Sequence, residues 1–268
     1  GKYNESLDAY DEAIQIDPNS AAAWTLKGDA LNNLQRYYDA ISAYNEAIRL
    51  DPTFAHAWRN KAGSFIEQGK YDDALRAYDE AIELDPNSTV TWTNKGSILL
   101  DQGKLDDAIQ AYDESIRIDP TVAESWYNKG KALDAQGKYD EAIECYDEAI
   151  KLSPRFVNAW IGKGNTLNNQ GKHDEAINAL DEAIRLDSEY ALAWNNKGGF
   201  LFELGKYNDA INALDEAIRL DPEYADAYYG KAQSLMMLHR NSEAEAAYIK
   251  ARELGYSGPM TQMELTTT

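Results

Sequence analysis

A step of 34 residues governs this chain. All six tryptophans fall on it, at Trp24, Trp58, Trp92, Trp126, Trp160 and Trp194. Six of the seven prolines keep the same step, at Pro18, Pro52, Pro86, Pro120, Pro154 and Pro222. A fixed period of about 20–50 residues marks a stacked array of small units rather than one globular core. The 268 residues divide into 20 before the first full period, seven periods of 34, and 10 after the last.

Position 1 of the period is set at residues 21, 55, 89, 123, 157, 191 and 225. Position 4 is then Trp six times and Tyr228 once; position 8 is Gly or Ala; position 11 is Leu or Phe, as in Leu31 and Phe65. At 100° per residue these three positions share one helical face. Position 15 is glycine in five units (Gly69, Gly103, Gly137, Gly171, Gly205), which fits a left-handed helix C-cap. Asp or Asn at 18 with an acid at 19, as in Asp140-Glu141, predicts an N-cap and an acidic first turn. A second stripe follows: Ala at 20 in every unit, Tyr or Leu at 24, Ala or Ser at 27, Leu or Ile at 30. Asp-Pro at 31–32 ends it, because proline cannot continue a helix.

Each unit thus reads as helix, turn, helix, with one apolar side per helix. Two such helices cannot bury those sides alone, whereas stacked neighbours can. A fully buried Trp hides roughly 150–250 Å². That contributes on the order of 4–6 kcal/mol per unit as an upper bound, so the tryptophans read as packing residues.

The pattern W-x-x-K-G-x-x-L, then A-x-x-x-Y, then P resembles the tetratricopeptide repeat, and it recurs seven times over residues 21–258. The resemblance implies an all-α fold: a right-handed α-solenoid superhelix of stacked antiparallel helix pairs. Two features depart from the family pattern. Lysine stands at position 7 throughout (Lys27, Lys61, Lys95, Lys129, Lys163, Lys197, Lys231), and Leu or Phe replaces tyrosine at 11. A lysine at the edge of a packed face can bury its stem and surface its charge. Its expected partners are the acids at positions 25–26 of the adjoining second helix.

Residues 1–20 carry only a second helix, read as half of a truncated repeat whose open face could pair with another subunit. At the other end Glu245 and Arg252 replace the Ile or Leu of positions 21 and 28, a polar stop. Residues 259–268 are expected to form a tail, with self-association through it or through the first helix as an alternative.

In the family, the side of the first helix opposite the core lines a concave groove. Positions 2, 5, 6, 9, 12 and 13 fall there. Their bases are Arg59 and Lys131; their acids are Asp29, Glu67, Asp101, Glu124, Asp134, Glu203 and Asp226, a net of five negative. Among them stand Ile66, Leu100, Tyr127, Ile161, Phe202, Tyr229 and Met236, apolar side chains outside both core stripes. Asn60, Asn94, Asn128 and Asn196 repeat at position 6, with Asn165 at position 9. An amide has one acceptor and two donors and can hold an extended peptide unit. This spacing is similar to the asparagine ladder in the repeat arm of protein O-GlcNAc transferases. The carboxylate clamp of chaperone-binding members finds its nearest match at Ile161, Asn165, Asn196, Asp226 and Gly230, which lacks the required bases.

The net charge of −20 repels phosphate backbones and anionic lipid, so neither nucleic acid nor membrane is an expected partner. An apolar content of 44 % is too high for a disordered acidic chain. His56, His173 and His239 share no face, and Cys145 replaces a small core alanine. No catalytic, cofactor or metal constellation emerges. A lone cysteine allows a reducing compartment, and a cytoplasmic location is expected. The reading is a non-enzymatic scaffold that holds a basic or mixed basic and apolar segment, extended or helical, in an acidic groove. The alternatives are a self-assembling array and the targeting arm of a larger enzyme.

Overall fold

The computed structural model describes residues 2–258, without the side chains of Lys2 and Tyr3. Among the described residues there are fifteen α-helices and no strand. After α1 (Lys2–Ile16) they alternate between two kinds. The first helices are α2 (Ala21–Asn33), α4 (Ala55–Ile66), α6 (Thr89–Asp101), α8 (Ala123–Ala135), α10 (Val157–Asn169), α12 (Ala191–Glu203) and α14 (Ala225–Met237). The second helices are α3 (Tyr37–Leu50), α5 (Tyr71–Leu84), α7 (Leu105–Ile118), α9 (Tyr139–Leu152), α11 (His173–Leu186), α13 (Tyr207–Leu220) and α15 (Asn241–Glu253). They pack as two compact units, one up to Ala132 and one from Leu133 on. In the first, successive helices from α1 to α7 touch, and α2 also touches α4. In the second, α9 to α15 do the same, with α10 against α12 and α12 against α14. The proposed tail, residues 259–268, lies outside the described residues.

The core follows the two stripes. Alanine at position 20 has no exposed surface in any of the seven repeats. Tyr44, Tyr78, Tyr112 and Tyr146 at position 24 are buried almost completely, as are Leu180 and Leu214 at the same position. Glycine at position 8 makes room for several of them, whereas Tyr78 packs in one cluster with Ala62 at that position. A Cβ on Gly96 would stand 2.6 Å from the ring of Tyr112, inside contact distance, and one on Gly28 would strike the ring of Tyr44. The tryptophans pack at the cluster margins and are half-buried. Their contribution therefore falls below the upper bound for full burial.

The turns explain the punctuation. Gly69, Gly103, Gly137, Gly171 and Gly205 have φ between 69° and 76°; Gln35 and His239 take the same left-handed conformation in the two units without glycine there. Each turn closes with paired bonds, such as Gly69 N–H to the Ile66 carbonyl (2.8 Å) and Lys70 N–H to the Phe65 carbonyl (2.9 Å). This is the Schellman arrangement. It brings the chain straight into the next helix, so the second helix starts at position 17 and its N-cap is the Lys or Arg at position 16, with no side-chain cap. The Asp at position 18, expected as the cap, sits inside the first turn and acts there on the helix dipole.

The Trp–Pro coincidence also has a cause that the sequence left hidden. Each indole Nε1 donates to the backbone carbonyl six residues earlier: Trp24 to Pro18, Trp92 to Pro86, Trp126 to Pro120, at 2.9–3.2 Å. Trp58 and Trp160 repeat it at 3.4 Å. Trp194 finds Ser188 there and bonds its carbonyl at 3.0 Å. Proline ends the preceding helix, and the indole takes up a carbonyl left without a helical partner.

The lysine at position 7 reaches the aspartate at position 25 of the preceding second helix. Six such pairs are present, Lys27–Asp11, Lys95–Asp79, Lys129–Asp113, Lys163–Asp147, Lys197–Asp181 and Lys231–Asp215, at 2.5–2.6 Å. Lys61 is the exception, because Asn45 occupies position 25. Its ammonium settles 4.7 Å from the Trp58 ring and 5.7 Å from that of Phe65. Burial lowers its pKa, and nearby Asp73 opposes the shift. Asn45→Asp should complete the series. Such partly exposed pairs contribute up to about 1 kcal/mol. The expected result is a higher urea midpoint in low salt and none of that gain in 1 M NaCl; a gain that survives salt would refute an ionic origin.

Candidate functional site

The side of the first helices turned away from the second helices carries polar rungs that run from one repeat to the next. Asn60 Nδ2 on α4 donates to Asp29 Oδ1 on α2 at 2.7 Å, and Ser64 Oγ donates to Asn32 Oδ1 at 2.7 Å. In the second unit Asn196 Nδ2 donates to Asn165 Oδ1 at 3.0 Å, and Thr166 Oγ1 to Asp134 Oδ1 at 2.7 Å. The spacing is 31 or 32 residues each time, from position 6 to 9 or from position 10 to 12.

The second helix contributes to this face through its tyrosine. With no side chain at Gly28, the Tyr44 ring passes across α2 and its hydroxyl donates to Asp29 Oδ1 at 2.8 Å. Burial, and after it the carboxylate of Asp29, drives the Tyr44 pKa far above the ordinary tyrosine range. Burial pushes Tyr78 up to about 12, with a hydrogen bond to Asn94 opposing the rise. Both hydroxyls keep their protons at neutral pH. The Tyr112 hydroxyl, at 3.3 Å, donates to Ser97 in the same way.

In the first unit this face opens into a cleft of about 450 Å³. Position 9 of the second repeat is Gly63, where an added Cβ would meet nothing within 4 Å. The missing side chain leaves a gap between the Asp29–Asn60 rung and Asn94. Arg59 and Val90 border it, and Val90 is 54 % exposed. His56 Nδ1 lies 3.2 Å from the Arg59 guanidinium. Burial first, and then Arg59, lowers the His56 pKa, which keeps that ring an acceptor.

Of the sequence-predicted residues, Arg59, Asn60 and Asn94 come together in this cleft. Glu67, Asp101 and Lys131 are exposed in the same unit, Glu67 accepting from the Tyr37 hydroxyl at 3.3 Å and Lys131 lying 5.8 Å over the half-buried Tyr127 ring. Several expectations need correction. Ile161 is 4 % exposed within a core cluster, and Asn128 is 9 % exposed, so neither offers a surface. Ile66, Leu100, Phe202 and Met236 are half-buried against core clusters, because position 12 turns toward the neighbouring repeat. Tyr229 is stacked on Tyr256 at 4.1 Å between ring centroids. Glu203 accepts from Asn168 at 2.8 Å. The asparagine ladder is likewise occupied in large part: Asn60 and Asn196 spend an amide donor on the chain's own neighbouring helix. Asp29, Tyr44, Tyr78 and Val90 complete the cleft. The Asp29–Asn60 spacing of 31 residues was the available signal for that rung.

Family models for the tetratricopeptide repeat match residues 1–53, 59–123, 127–191, 164–207 and 99–151, and one for the TPR repeat matches residues 200–238. The chain belongs to the tetratricopeptide repeat family. The family's fold is that of protein–protein interaction scaffolds, and the helix-pair packing here is that of its α-solenoids. No curated protein matches the sequence. Among solved structures, a tetratricopeptide repeat protein from Parabacteroides merdae matches with a TM-score of 0.71 and 18 % identity, over 93 % of this chain and 94 % of that one. The Cut9–Hcn1 hetero-tetramer of the APC/C matches with a TM-score of 0.70 and 19 % identity, over 88 % of this chain and 46 % of that one. YrrB, described as a TPR protein with an unusual peptide-binding site, gives 0.59 and 19 %, over 71 % and 98 %. At these identities the likeness is one of fold. Among the described residues no helix is long and apolar enough to cross a membrane.

Proposed function

We propose that the chain is a peptide-binding scaffold and that the inner cleft of α2, α4 and α6 is its primary contact, in a cytoplasmic setting. The observation that carries this reading is the gap at Gly63, where unfilled space, an exposed aliphatic side chain and polar rungs meet. A segment of another protein would seat an apolar side chain beside Val90 and use the second donor of Asn60 and the amide of Asn94. Basic residues in that segment suit the surroundings. On this face of the first unit Asp29, Glu67, Asp101 and Glu124 outnumber Arg59 and Lys131. Such an imbalance raises the encounter rate of a cationic ligand and makes it salt-dependent.

The test is titration of the chain with peptides that alternate Lys and Leu, at low and high salt. Asn94→Ala should weaken binding about tenfold, roughly the 1.4 kcal/mol of one charge-free polar contact. Affinity within twofold of the parent, or affinity indifferent to salt, would overturn the reading.

A further inference from the structure

A second cleft, of about 860 Å³, opens between the second helices α11 and α13, with α12 as its floor. It is distinct from the inner face: its floor is Trp194 and Leu201, from the core stripe of α12, and Ile177 joins them from α11. A smaller cleft of about 400 Å³ recurs between α1 and α3 over α2, where Trp24 and Leu31 hold the same register positions.

Two differences single out the larger one. In the smaller cleft Arg36 closes on Asp39, with Nε at 2.8 Å, so that carboxylate is occupied. In the larger cleft the cation at the same position, Lys206, turns to Asp174 at 3.5 Å. Asp209, the counterpart of Asp39, is left without a cation or donor among the described residues. The second difference is a pair of amides. Asn178 on α11 and Asn212 on α13 occupy the same register position on opposite walls, both are exposed, and neither side chain has a hydrogen-bond partner among the described residues.

We propose that this outer cleft is a second docking site, for an extended segment of another protein that carries a lysine or arginine beside an aliphatic residue. Each asparagine offers one acceptor and two donors. A helical ligand has its backbone groups bonded internally, so only an extended strand can use both walls. The aliphatic side chain sits on Trp194, Leu201 and Ile177. Charge favours a cation through Asp209. The other three carboxylates of the cleft are paired, Asp174 with Lys206, Asp215 with Lys231 and Glu216 with Arg219, and Lys197 is held by Asp181, so Asp209 is the acceptor left for an incoming lysine or arginine. The volume lies within the roughly 300–1,000 Å³ of established ligand pockets. The outer cleft shares no lining residue with the inner one.

The test uses the full ¹⁵N-labelled chain and capped hexapeptides alternating Lys and Leu, followed by nuclear magnetic resonance. The side-chain amide signals of Asn178 and Asn212 and the Trp194 indole signal should shift on titration. Asn178→Ala with Asn212→Ala, both on exposed sites, should weaken that response at least fivefold and leave the shifts of Asn60 and Asn94 unchanged. Asp209→Asn should remove most of its salt dependence. The proposal is overturned if the peptides move only the inner-face signals, if the double variant binds within twofold of the parent, or if a Glu-for-Lys series binds as well. The inner reading fails separately, on Asn94.

Discussion

Tyr112→Ala should destabilise the first unit by about 3–5 kcal/mol, the usual cost of truncating a fully buried aromatic side chain. Its ring has no exposed surface, fills the place vacated by the missing side chain of Gly96, and meets Leu99, Ala108 and Ala132 in one cluster. Neither α6 nor α7 can move in to close the hole without abandoning contacts to the next repeat. Tyr112→Leu makes the control. Leu180 and Leu214 occupy this register position naturally, and the change surrenders only part of the volume and a 3.3 Å hydroxyl contact. It should cost less than about 1.5 kcal/mol. Urea midpoints measure the difference, and amide exchange should localise it, since repeats communicate through nearest neighbours. Accelerated exchange confined to α5–α8 is expected. Equal losses for both variants would contradict the packing account.

Trp160→Ala should have the next largest effect, about 3 kcal/mol, at the low end for a large aromatic because the indole is half-exposed. Trp160 touches two core clusters, one with Ile161 and Leu180 and one with Leu167 and Ala176. Its loss therefore loosens α10 on both sides. Trp160→Phe separates the ring from the hydrogen bond. It keeps most of the apolar contact and the Lys163 ammonium over a ring, now 5.9 Å from the indole centroid, but gives up the bond from Nε1 to the Pro154 carbonyl. That carbonyl is near the surface and regains water, so the cost should be about 0.5–1 kcal/mol. If Phe proves as damaging as Ala, the indole bond rather than packing is what fixes the helix pair.

The fold was legible because it depends on period and size alone. Gly at 8, Ala at 20 and Tyr at 24 declare a close helix approach wherever they recur, and the left-handed glycine at 15 declares the turn. The site was legible only in part. A helical wheel sorts residues by face within one helix, and it put Arg59, Asn60 and Asn94 on one face, where they line a common cleft. It cannot show that Asn60 meets Asp29 across 31 residues, so it counted as open an amide that is half spent. It also treated position 5 as surface, whereas Ile161 turns into the contact between adjacent helices. The start of the second helices was displaced for a related reason: the Schellman closure leaves no residue to spare before the helix, and a basic residue takes the cap. The outer cleft had no sequence signature, since its Trp and Leu belong to the core stripe and only spacing between second helices exposes them.

The most direct measurement places a photoreactive benzoylphenylalanine at Val90, on the border of the inner cleft, and at the exposed outer residue Tyr38 as a control. Irradiation with a Lys/Leu peptide at low salt should give a cross-link from position 90 that high salt suppresses, and none from position 38. Equal cross-linking from both positions, or a product at 90 indifferent to salt and to Asn94→Ala, would contradict the assignment of the inner face as the binding site.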